Sequence, residues 1–111
     1  MPKEQIISSS ALRRVKGIHK LSLEYNGKVA KPHQERLLEL MRHHIDEIEE
    51  LAAQKNKHFL VETGDLAVLC LELILENEKS VDEILECCFG RYERKLNCLL
   101  QECRKVRKTR L

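Results

Sequence analysis

The chain has 111 residues with 4 Gly, 2 Pro, no Trp and only 4% aromatics, so apolar and charged runs pass with few breakers and one almost wholly helical domain is expected. Its net charge is only +2, but residues 1–34 carry +5, residues 35–86 carry −9 and residues 87–111 carry +6. No nucleic-acid-binding motif accompanies the basic ends, and there is no signal peptide or 18-residue apolar span, so the reading is of a cytoplasmic protein that does not enter a membrane.

The five cysteines, Cys70, Cys87, Cys88, Cys98 and Cys103, form no CxxC pair. Their odd number and irregular spacing point to a reducing compartment and argue against a zinc site, and three of them fall within apolar repeats as small core residues.

Ser8-Ser9-Ser10 offers N-caps for a short helix over residues 10–21, with Leu12, Val15, and Ile18 or His19 on one stripe. Gly17 weakens its middle, and it is expected to dock loosely. Asn26-Gly27 signals a turn, and Pro32 starts the next helix. Residues 1–34 thus read as a flexible N-terminus carrying a short docking helix.

Over residues 33–54, Leu37, Met41, His44 or Ile45, Ile48, and Leu51 or Ala52 recur at helical intervals. Glu47 and Glu50 lie on the adjacent stripe, at the border of the core. After a turn at Lys55-Asn56-Lys57, a helix over residues 58–77 carries Glu62 and Asp65 on one face, then an apolar run from Leu66 to Leu75 broken only by Glu72. That helix is apolar on nearly every side, more than a thin bundle covers, so an oligomer is expected. Gly64 leaves room for close approach of a helix or a ligand.

Antiparallel contact of these two helices would gather four carboxylates. At an effective dielectric of ~20, two of them about 5 Å apart repel by roughly 3 kcal/mol, and a hard divalent cation relieves this. Magnesium takes oxygen ligands, keeps several waters and bridges carboxylates to phosphates. The competing reading is an ordinary solvated helix face.

The histidines are read as bystanders. His44 is a partly buried packing residue and His43 faces solvent or stands behind the ligands, while His19, His33 and His58 are weaker metal candidates still. Glu72, surrounded by apolar neighbours, needs a partner, and an Arg or Lys from the last helix or a second subunit is expected. Ser80-Val81-Asp82-Glu83 has the form of a capping box opening a long helix with the stripe Ile84, Leu85, Cys88, Tyr92, Leu96, Leu99, Cys103 and Val106. Arg91, Arg94, Lys95 and Asn97 are its candidates for phosphate contacts, and residues 104–111 form a basic tail.

Asp46-Glu47-Ile48-Glu49-Glu50-Leu51-Ala52 followed by Glu62-Thr63-Gly64-Asp65-Leu66 resembles the paired ExxE and ExxD motifs of the MazG-like nucleoside triphosphate pyrophosphohydrolases, over about residues 35–100. The resemblance implies an all-α helical bundle over residues 35–103, completed as a homodimer or homotetramer. It implies hydrolysis of a nucleoside triphosphate to the monophosphate and pyrophosphate with magnesium, or manganese in its place. Glu47, Glu50, Glu62 and Asp65 would be the metal ligands, with Glu50 and Glu47 assisting attack by water. Lys95 and Asn97, with Arg94 and Arg91, are the approximate counterparts of the family's substrate-binding residues. The alternative is a catalytically silent helical interaction or regulatory module whose acidic centre binds a basic partner.

Overall fold

The computed structural model describes residues 5–110, with side chains described through residue 106. Four helices follow one another: α1 (Ser9–Lys28), α2 (His33–Ala53), α3 (Phe59–Glu76) and α4 (Val81–Arg110). No strand occurs among the described residues. None of these helices is long and apolar enough to cross a membrane.

α2 and α3 make the most extensive helix contact, and α1 lies across both. Their register is antiparallel: Asn77 Nδ2, at the end of α3, donates to Gln34 Oε1 at the start of α2 over 3.1 Å. Further along, His44 faces Glu62 and Asp65. The core between the three helices is thin. Its buried apolar residues among those described are Val15 of α1, Leu37 of α2 and Leu69 of α3, with Val81 where α4 begins, and of these only Leu37 is fully buried.

The capping signals act largely as the sequence suggests. Ser8 Oγ accepts from Ala11 N at 3.1 Å, and Ser80 Oγ accepts from Glu83 N at 3.3 Å, each meeting an N–H that the helix leaves unpaired. α1 differs from expectation. It runs on to Lys28, because Asn26 and Gly27 form its last turn rather than a loop, and Asn26 is buried against His33 of α2.

The first three helices end alike. The N–H groups of Ala30 and Lys31 donate to Gly27 and Asn26 carbonyls, those of Lys55 and Asn56 to Ala52 and Leu51, and those of Glu78 and Lys79 to Leu75 and Ile74. This paired pattern is the Schellman motif, which needs a left-handed residue just past the helix and usually takes glycine there. Here Ala30, Lys55 and Glu78 occupy it, with φ of 55°, 58° and 58°.

α4 is the outlier. Among the described residues it touches only α3 of the helices, and every residue from Arg91 to Val106 is exposed. Residues 104–110 are part of this helix. Its 30 residues span roughly 45 Å at the helical rise. At its start, the Ile7 backbone N–H donates to Asp82 Oδ1 at 3.1 Å, strapping the residues before α1 to the first turn of α4. All five cysteines are free thiols; Cys70 and Cys88 are half-buried, and Cys87, Cys98 and Cys103 are exposed, so the core reading does not hold for Cys103.

Candidate metal centre between the second and third helices

Helical spacing sets His44 and Glu47 on one side of α2, and Glu62 and Asp65 on one side of α3. The antiparallel register brings these two pairs face to face. His44 Nε2 lies 3.4 Å from Glu62 Oε2 and 3.7 Å from Asp65 Oδ2. The other Glu62 oxygen, Oε1, is 3.5 Å from Nε2 of His58, one turn earlier on α3.

Glu62 is the centre of this group, its side chain only 15% exposed. Its carboxyl is held above the usual carboxylate range, first by a hydrogen bond with Glu47, then by desolvation and by the charge of Glu47. His44 opposes this shift, and Asp65 adds to it. Two facing carboxylates share a proton more readily than they carry two charges, and a cation can take that proton's place.

His44 is oriented for such a role. Its Nδ1 lies 2.9 Å from the Leu40 carbonyl oxygen. A carbonyl only accepts, so Nδ1 carries a hydrogen and the ring turns Nε2 toward the carboxylates, where its lone pair would be available to a metal. Metal-binding histidines are commonly fixed in this way by a backbone carbonyl. His44 is partly buried, as read from sequence; the i, i−4 carbonyl contact and the approach of α3 are additional features that a helical stripe does not display.

His44, Glu62 and Asp65 present one ligand atom each, all within 4.8 Å of one another, and Glu47 adjoins them through Glu62. Glu50 is exposed one turn further toward the α2–α3 turn. Arg91, Arg94, Lys95 and Asn97 are exposed on α4. Among the described residues, no hydrogen bond or ion pair joins these four to the carboxylates; the guanidinium of Arg91 instead lies over the Tyr92 ring, 5.4 Å from its centre.

Glu72 is buried as its apolar neighbours require, but its ionic neighbour is not a residue of α4. His19 Nδ1 of α1 lies 3.7 Å from Glu72 Oε1, which corrects the expectation of an Arg or Lys from the last helix. No protein-family model, curated protein or solved structure matches the chain.

Proposed function

We propose that the protein is a divalent-cation-dependent hydrolase that splits a nucleoside triphosphate into the monophosphate and pyrophosphate. The observation that carries this reading is the meeting of Glu47, Glu62, Asp65 and His44 across one antiparallel helix seam. A cation held there would neutralise the carboxylates, orient the phosphate chain and lower the pKa of an attacking water. Magnesium suits the carboxylates; the imidazole adds a nitrogen ligand, which favours manganese more than magnesium. Glu50, exposed one turn beyond Glu47 on α2, is the base proposed to take the proton from water.

The substrate-binding side of this reading needs a second copy of the chain. Phe89, Tyr92, Leu96, Leu99 and Cys103 are exposed along α4 at intervals of three and four, the repeat of a two-helix seam. Pairing through this seam would cover them and would supply the Arg91–Asn97 stretch to a neighbouring carboxylate cluster. The expected oligomer therefore rests on α4 rather than on α3, which α1 and α2 already pack against.

Pyrophosphate release from a panel of ordinary and modified nucleoside triphosphates, with magnesium and then manganese, tests the reading. Turnover of at least one, lost in the Glu50→Gln/Asp65→Asn double variant, is expected. The separation of the Arg91–Asn97 stretch from the carboxylates within one chain favours a second reading, a silent helical interaction module. No turnover, and no cation-dependent binding of a nonhydrolysable triphosphate, would establish that reading instead.

A further inference from the structure

We propose a second metal site, built for a zinc-class transition ion by His19 of α1, His33 of α2 and Glu76 of α3, with Glu72 and Asn26 supporting the two imidazoles. His19 Nε2 is 3.3 Å from Glu76 Oε2, and His33 Nε2 is 3.6 Å from the same oxygen. The two rings stand edge to face with centres 5.1 Å apart.

These separations are long for charge-assisted hydrogen bonds, which run to about 2.7–2.9 Å. They match the edge of a tetrahedron around zinc: with metal–nitrogen and metal–oxygen bonds of about 2.0–2.1 Å, ligand atoms sit roughly 3.4 Å apart. All three ligand atoms lie within 4.8 Å of one another.

Burial makes the cluster costly without an occupant. The Glu72 side chain is 3% exposed and that of His33 8%, and Glu72 Oε1, His19 Nδ1 and His33 Nε2 are buried without a hydrogen-bond partner. An unpaired buried polar atom is expensive, and buried charges are normally paired or bound to a metal. The sequence argued against zinc from its cysteines; this site uses none of them.

Each histidine also has a group behind it. Glu72 Oε1 faces Nδ1 of His19. At 3.7 Å this is not a hydrogen bond; with a metal on Nε2, the Nδ1–H of the ring would be directed at this carboxylate. The Asn26 carboxamide meets Nδ1 of His33 at 2.8 Å through Nδ2. In this orientation Nδ2 donates to Nδ1 and the neutral ring carries its hydrogen on Nε2; a metal on Nε2 requires the carboxamide turned end for end, its oxygen accepting from Nδ1–H. Carboxylate and carboxamide partners of this kind fix ligand tautomers in metal sites.

Two imidazoles and one carboxylate from three helices suit zinc better than magnesium and leave one position for water. The bound ion would pin α1 onto the α2–α3 pair. Along α3, Glu76 is 14 residues from Glu62, roughly 20 Å at the helical rise, so the site is independent of the proposed hydrolytic centre.

Zinc and cobalt binding to the chelator-stripped full chain tests the proposal. Because the His44, Glu62 and Asp65 cluster would also take these ions, the titration is read in the Glu62→Gln/Asp65→Asn variant, where one equivalent is expected, with an X-ray absorption shell of nitrogen and oxygen only, and a higher thermal midpoint with zinc. His19→Gln and His33→Gln should abolish it, Glu72→Gln should weaken it about 10- to 100-fold, and Glu62→Gln/Asp65→Asn should leave it intact. No retained ion, a sulfur-containing shell, or undiminished binding in both histidine variants would overturn it. If the histidine variants fail to fold, the stoichiometry and absorption shell of the Glu62→Gln/Asp65→Asn variant decide the matter.

Discussion

His44 of α2 points its Nε2 at Glu62 of α3 from 3.4 Å, while a backbone carbonyl at 2.9 Å holds its other nitrogen. A ring fixed this way turns Nε2 to a crowded pair of carboxyl groups, an arrangement that improves when a proton or a cation comes between them. The proposed chemistry begins with that competition.

Glu62 gives it a sign in stability. Its carboxyl is raised above the ordinary value by Glu47 and desolvation, so the folded chain holds this proton to higher pH than the unfolded chain does. Stability then falls as pH rises from the ordinary glutamate value through the raised one. Glu62→Gln removes this loss. In chelator, the variant's thermal midpoint should gain on the wild type across that interval and hold its lead above it. With manganese added at neutral pH, the wild type should recover and the variant should not.

Catalysis should depend on the same seam. Asp65→Asn is expected to lower pyrophosphate release by about 100-fold or more, the scale of losing an electrostatic stabiliser. His44→Gln should act differently, weakening manganese more than magnesium because it removes the nitrogen ligand. Steady-state assays at varied metal concentration separate the two effects.

The left-handed turn residues offer a test of the fold alone. Lys55 sits at φ 58° at the end of α2, where a side chain costs about 1–2 kcal/mol. Lys55→Gly should relieve that strain and give back about 0.4–1 kcal/mol through the freer unfolded chain. A net gain of about 1 kcal/mol is expected in chemical denaturation, and the same change at Glu78 should behave alike.

Self-association is checked on α4. Leu96→Glu with Leu99→Glu places charges in the proposed seam and should convert an oligomer to a monomer in light scattering, leaving the helical content of α1 to α3 unchanged. If nucleotide contacts come from a second copy, the monomer should also lose triphosphate binding while keeping manganese binding.

Much of this architecture is legible in the sequence, because the apolar stripe of α2 and the run of α3 leave few other ways to fold. Ser80 opens α4 for a local reason, and local reasons are what a sequence displays. Asn26-Gly27 misleads because burial of Asn26 against His33, a contact between helices, outweighs turn preference. Glu47, Glu62 and Asp65 could be paired on paper once two helices were drawn side by side. His19 and His33 could not, since nothing local ties them to Glu76. The one signal was Glu72, a carboxylate stranded in an apolar run, which called for a partner without saying that it would come from α1.

The strap from the Ile7 amide to Asp82 has a mechanical consequence. It meets α4 at the root of a rod that otherwise rests lightly on α3, so the few residues ahead of α1 help set the angle at which the rod leaves the body. Clipping them, or replacing Asp82, would alter the reach and aim of everything α4 carries without disturbing a ligand in either cluster.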